Sequence, residues 1–143
     1  MIIVLDTNVL VSGLLTPFGP SGEVVRMVSD GILVLQFDSR ILLEYKDVLH
    51  RPKFKFDKNQ VDIVLDFITQ NGQIVAARPL KRRLPDVDDE PFLEVAIAGN
   101  DSCLVSGNKV HFPRQAREGM KVFSPAEFLE FYREHDRDTP ERS

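Results

Sequence analysis

Ile2-Ile3-Val4-Leu5-Asp6-Thr7-Asn8 is the stretch on which the fold turns. Its four aliphatic residues run without the polar alternation of a half-exposed strand, the pattern of a strand covered on both faces. The run stops at a carboxylate. Strands covered on both faces belong to parallel sheets with helices above and below, and ligands bind there beyond the carboxyl ends of the strands. Asp6 therefore stands where chemistry is expected.

Working outward, the chain alternates strand and helix. Asn8 can cap a short helix through Leu14, or orient Asp6 by a side-chain hydrogen bond. Pro17, Gly19, Pro20, Ser21 and Gly22 punctuate a turn, and Ser21 can cap a helix over 22–30 that Gly31 closes. A second strand is expected over 32–37, followed by a helix opened by Asp38 or Ser39 and running to about His50. Val61, Val64, Leu65 and Ile68 give a helix over 58–69. Ile74-Val75-Ala76 reads as a third strand, 80–88 as a polar loop, 89–98 as a helix, Cys103-Leu104-Val105 as a fourth strand and Val122-Phe123 as a short fifth. Ser124-Pro125 starts a last helix with Phe128, Leu129 and Tyr132 on its apolar side. The charged stretch 133–143 is expected to fray, leaving one domain over 1–132. Right-handed crossovers then require a parallel sheet with helices on both faces and bring the first and fourth strands together.

Composition narrows the function classes. The chain has 143 residues, enough for one ordinary core, and its 43% apolar and 28% charged content excludes a disordered, collagenous or coiled-coil chain. No apolar run approaches the ~20 residues of a membrane span, and Asp6 ends the first run before a secretory core of roughly 7–15 residues forms. A single cysteine, Cys103, excludes an intramolecular disulfide and points to a reducing, cytoplasmic compartment. A net charge of −4 argues against a nucleic-acid coat protein, but not against an enzyme whose acidic site holds metal ions.

Acidic residues gather after the strands. Asp6 follows the first strand and Asn108 the fourth, in Ser106-Gly107-Asn108. Asp86, Asp88 and Asp89 crowd the loop before the 89–98 helix. Carboxylates converging at one sheet end repel one another, a cation relieves the repulsion, and all-oxygen ligands suit Mg²⁺ or Mn²⁺. Acids at a helix start also cap it; Asp88 is the better simple cap and Asp86 a loop acid. Asp89 shares a face with Phe92, Leu93 and Ala96 and so points to the core side. Glu44 lies between Ile41 and Val48, inside an apolar stripe, where a carboxylate is costly unless paired or metal-bound. The pattern fits a metal ligand or a salt bridge to Lys46 or Arg40 equally well. Lys81-Arg82-Arg83 is the one dense basic cluster, placed in the loop beside the acids where a phosphate backbone would lie.

Other chemistries lack their residues. There is no glycine-rich dinucleotide or P-loop motif and no Gly-x-Ser-x-Gly. His50, His111 and His135 lack zinc-ligand spacing, and Cys103 reads as an inert core thiol. A phosphatase built on a strand-end aspartate wants a second Asp two residues on, where this chain has Asn8.

Taken in order, 2–10, Leu42-Leu43-Glu44-Tyr45, Asp86 through Ala96, and Leu104-Val105-Ser106-Gly107-Asn108 resemble the PIN domain, most closely the VapC-like toxins of prokaryotic toxin–antitoxin pairs. The resemblance extends to about Phe131. It implies a three-layer αβα sandwich around four to five parallel strands, and a Mg²⁺- or Mn²⁺-dependent ribonuclease. It implies too a homodimer, for which the apolar residues of the 58–69 helix are candidates, and a cognate antitoxin. By position, Asp6, Glu44 and Asp89 match the first three metal-binding acids, with catalytic roles. Ser106 matches the hydroxyl residue before the fourth acid, and Asn108 stands where that acid is usually Asp. Asn keeps an oxygen but loses a charge, so a second ion is held less tightly. Thr7, Asn8, Ser106, Asp86 and Asp88 would support these ligands, and Lys81, Arg82 and Arg83 would meet RNA. Single-stranded or loop RNA is the expected substrate, because a site at a sheet end does not reach a phosphate inside a duplex. The alternative is a PIN-like module, weakened or inactive through Asn108, that binds RNA or a protein partner without cutting.

Overall fold

The computed structural model describes residues 1–101 and 103–137. At its centre lies β1 (Ile2–Leu5), flanked in parallel by β2 (Val34–Phe37) and β4 (Cys103–Val105). β3 (Gln73–Ile74) and β5 (Val122–Phe123) form the edges, giving the order β3-β2-β1-β4-β5. Ile3, Val4, Leu5 and all of β4 are inaccessible to solvent, as expected of apolar runs covered on both faces. Successive residues show the two faces. Leu35 joins Leu5 in a groove shared with Leu10, Val25, Val28 and Ile68, whereas its neighbour Gln36 points the other way, to Gly99.

Six helices complete the fold: α1 (Thr7–Leu15), α2 (Pro20–Ser29), α3 (Ser39–Leu49), α4 (Lys58–Asn71), α5 (Glu90–Ala98) and α6 (Pro125–Arg137). α1 and α2 pack together, α6 lies against α2, and α5 covers β1, β2 and β4. The architecture is the α/β class read from the sequence, with five parallel strands. Among the described residues no helix is long and apolar enough to cross a membrane.

Several boundaries differ from the sequence reading, each for a local reason. α1 begins at Thr7, one residue before the cap expected at Asn8, because Asp6 takes the extended cap position. Pro20 occupies the first turn of α2, so Gly19, not Ser21, precedes it; a proline there forfeits no hydrogen bond. Ile32 and Leu33 both donate their N–H groups to the Met27 carbonyl at the end of α2, which delays β2 to Val34. β3 lies at Gln73–Ile74 rather than 74–76 and is exposed, a two-residue edge. A single 3-10 turn, Val87–Asp89, precedes α5, which starts at Glu90 rather than Asp89. Asp38 does cap α3, accepting from the Ile41 N–H at 3.2 Å. α6 continues through Arg137, five residues past the point where fraying was expected; 138–143 lie outside the described residues.

Beside β4, away from its carboxyl end, Asp101 is buried and accepts from the side-chain amide of Gln36. Burial pushes its carboxyl up to about 7 from 3.8. The folded chain thus keeps this proton at pH values where the unfolded chain has lost it. Stability should fall as pH rises from about 4 to about 7 and level off above. Asp101→Asn, which keeps the shape without the charge, should raise the melting temperature at pH 8 by about 4 °C, the shift about 1 kcal/mol gives a domain of this size, and leave it unchanged at pH 4. Thermal melts across this pH range check both.

Candidate active site

The site is assembled by the pairing of β1 with β4 in the register Leu5↔Val105. The Asp6 N–H donates to the Val105 carbonyl at 2.9 Å, which sets Asp6 beside Ser106 at the carboxyl end of the sheet. The Asp6 side chain makes no cap bond to α1. Instead its Oδ2 accepts from the buried Ser106 hydroxyl at 2.7 Å. Ser106 Oγ in turn accepts from the Asn108 N–H at 3.0 Å, and Asn8 Oδ1 accepts from the Gly107 N–H at 3.1 Å. Asn8 thus fixes the 106–108 loop rather than capping a helix.

α3 supplies the second acid. Tyr45, fully buried, donates its hydroxyl to the Leu5 carbonyl at 2.5 Å, tying α3 to the end of β1. Its neighbour Glu44 then faces α1 and accepts a hydrogen bond from the Thr7 hydroxyl. Neither Lys46 nor Arg40 pairs with Glu44; Arg40 holds Asp38 and Glu94, each at 2.7 Å. The salt-bridge alternative for Glu44 is thereby overturned.

The third acid, Asp89, closes the 3-10 turn ahead of α5 and turns inward, its side chain 15% exposed. It caps nothing. Asp86 does the capping expected of Asp88, accepting from the Asp88 N–H at 2.9 Å because it precedes the turn. Asp88 stays exposed. His111, from the 3-10 turn after Asn108, brings Nδ1 to 3.2 Å from Asp89 Oδ2. That approach lacks hydrogen-bond alignment, and Asp89 Oδ2 is buried with no hydrogen-bond partner.

Electrostatics couples the three acids. Burial, followed by repulsion from Asp89 and Glu44, raises the Asp6 carboxyl to about 6 against the opposing hydrogen bonds of Ser106 and the Thr7 N–H. The Asp89 carboxyl is also raised, chiefly by burial, with His111 opposing and Asp86 and Glu44 adding repulsion. No lysine or arginine pairs with Asp6, Glu44 or Asp89 among the described residues. Asn108 is exposed, and among the described residues its side chain bonds nothing. The basic cluster is exposed throughout: Arg83 Nη1 lies 3.4 Å from Glu90 and Lys81 Nζ 4.0 Å from Glu118, both at the surface, and Arg82 has no ion-pair partner among the described residues.

Family comparison agrees with this geometry. The PIN domain pattern matches residues 2–110. The chain belongs to the PIN domain family. PIN domains are generally nucleases, hydrolases of phosphodiester bonds, and generally use divalent metals. The match spans Asp6, Glu44, Asp89 and Asn108, and ends one residue before His111. No curated protein matches the chain.

The donor set fits a divalent ion in chemistry: three carboxylates in mutual repulsion, all oxygen, with one buried oxygen unsatisfied. It is not a closed cage. Among the described residues no three His, Cys, Asp or Glu side chains stand close enough to enclose an ion as placed.

Sequence reasoning passed over Tyr45, His111, Glu90 and Glu94. Glu90 and Glu94 are buried on α5; they accept from the Leu84 and Leu80 N–H groups at 3.0 and 3.2 Å and so anchor the loop that carries Asp86 and Asp89. Their i, i+4 spacing resembles a solvated helix face, which hid them.

Ser106 joins Asp6 to the 106–108 loop through one oxygen. Ser106→Ala should leave Asp6 Oδ2 and the Asn108 N–H unpaired and lower stability by about 1–3 kcal/mol in urea denaturation, far more than removing an exposed hydroxyl.

Proposed function

We propose that this PIN domain is a Mg²⁺- or Mn²⁺-dependent ribonuclease that hydrolyses single-stranded or loop RNA, acting as the toxin of a toxin–antitoxin pair. The observation that carries this reading is the gathering of Asp6, Glu44 and Asp89 at one sheet end, where their charges repel one another and no lysine or arginine pairs with any of them among the described residues. Asp6 and Asp89 would hold the ion directly. Asp6 is suited to it, since Ser106 fixes Oδ2 and leaves Oδ1 free of side-chain donors. Glu44, steadied by Thr7, would ligate or orient the attacking water, and Asn108 would add a neutral oxygen at the rim. When bound, the ion lowers the pKa of its water and offsets negative charge on the phosphate and the leaving oxygen. No side chain need act as the nucleophile. The site sits at the open end of the sheet, which supports a flexible strand as substrate over a rigid duplex. The reading includes an antitoxin that would cover the site and a homodimer, for which the exposed Ile63 on α4 is a candidate contact.

Asp6→Asn should reduce Mn²⁺-stimulated cleavage of single-stranded RNA by about 100-fold or more, read on a gel with a labelled oligonucleotide. Equal cleavage with and without this change would sink the reading. Calorimetric titration supplies the metal arm: the wild type should bind Mn²⁺, and Asn108→Asp, by restoring a full charge, should tighten binding about tenfold. A wild type that binds neither Mn²⁺ nor Mg²⁺ while still binding RNA would instead support a non-cutting module.

A further inference from the structure

We infer that the connection between α3 and α4, residues 51–58, is a binding platform for single-stranded RNA, separate from the metal-binding acids and from the Lys81–Arg83 cluster. The inference rests on the ribonuclease reading for its ligand class, but not for its geometry.

The segment reads Arg51-Pro52-Lys53-Phe54-Lys55-Phe56-Asp57-Lys58, cations interleaved with aromatics. Phe54 and Phe56 stack with ring centres 5.7 Å apart and planes 20° apart, and each keeps part of its surface in solvent. Lys53 Nζ lies 5.0 Å over the Phe54 ring. A flat aromatic pair with cations around it is what unpaired bases and their phosphates engage together: stacking serves any base, and lysines serve the backbone.

The charges here are free. Asp47 is taken by Arg51 at 3.0 Å and Asp62 by His50 at 3.1 Å. Asp57 accepts from the Asn59 N–H as the cap of α4. Lys46, Lys53, Lys55 and Lys58 are left with no carboxylate partner among the described residues. In a chain of net charge −4 this is a local excess of positive charge, and it contrasts with Lys81 and Arg83, which face Glu118 and Glu90. Lys55 sits at a left-handed φ of 56°, a conformation that glycine adopts at less cost.

The platform adjoins a groove along α3. An open groove of about 870 Å³ is lined by Lys46, Arg51 and Lys58 together with Asp47 and Asp62, the two acids paired to Arg51 and His50. Leu43, Lys46 and His50 recur at i, i+3 and i+7, one face of α3, which at ~1.5 Å per residue is about 10 Å long. Leu43 is exposed and adjoins Glu44.

The test is fluorescence anisotropy with a labelled single-stranded oligoribonucleotide, with EDTA present so that binding is read without cleavage. Lys53→Ala/Lys55→Ala/Lys58→Ala, confined to exposed side chains, should weaken binding about tenfold and lower the slope of log affinity against log salt by about 2, at roughly 0.7 per phosphate contact. Lys81→Ala/Arg82→Ala should change binding less. Lys55→Gly should weaken binding while leaving the melting temperature equal or higher, an outcome that a purely structural role does not produce. Phe54→Leu should weaken single-stranded binding more than binding of a duplex probe. Wild-type affinity in the triple variant, or no salt-dependent binding by the wild type, overturns the platform. If the wild type binds through these residues yet cuts nothing with Mn²⁺, the nuclease reading fails and the platform stands; cleavage with variant-independent binding gives the reverse.

Discussion

The parallel pairing of β1 with β4 is the constraint on which the site depends. It joins residues a hundred positions apart, and it does so where both strands are fully covered, so Asp6 emerges from an apolar slab directly against Ser106. A carboxylate in that position is pulled two ways. Burial and the fields of Asp89 and Glu44 oppose its charge, while the Ser106 hydroxyl and the Thr7 N–H favour it, and the balance settles at about 6. Such a group is neither a comfortable surface acid nor half of a salt bridge. It is negative charge held in readiness by hydrogen bonds that a basic side chain would otherwise have made unnecessary.

What was legible in the sequence follows from how far each signal reaches. β1 and β4 were readable to the residue, because an uninterrupted apolar run bounded by polar residues has few alternative readings. Glu44 stood out because it broke an apolar stripe, and Asp89 because it shared a helix face with Phe92 and Leu93. The misreadings turned on single contacts that no periodicity marks. Asp86 rather than Asp88 caps the turn before α5, since a 3-10 turn intervenes that no periodicity announces. Asn8 serves the Gly107 N–H, a partner visible only after β1 and β4 are paired. His111 reaches Asp89 from an irregular segment with no spacing rule to flag it.

The loop over 75–86 has almost no regular structure, and its backbone donors are met instead by α5. Glu94 accepts from Leu80 and Arg40, Glu90 from Leu84 and Arg83. Burying two carboxylates on one helix is costly unless each is fully bonded, and here each carries one backbone donor and one guanidinium. The arrangement makes the loop a strap across α5, with Asp86 and Asp89 at its end.

Charge is therefore sorted across the molecule in a way that its net value conceals. The acids lie at the sheet end, Asp6 and Glu44 bonded to hydroxyls and Asp89 facing His111; lysines without a carboxylate partner among the described residues lie along the α3–α4 connection. At physiological salt fields between exposed charges fade over about 8 Å, so an approaching polyanion responds to the nearest cluster rather than to the total of −4. Asn108 belongs to the same logic. An aspartate there would have added a fourth carboxylate to a group already in mutual repulsion, raising both its demand for cations and its repulsion of phosphate. An amide lessens both at once. Under the proposed reading, three carboxylates would hold the ion, and positive charge placed elsewhere would hold the strand.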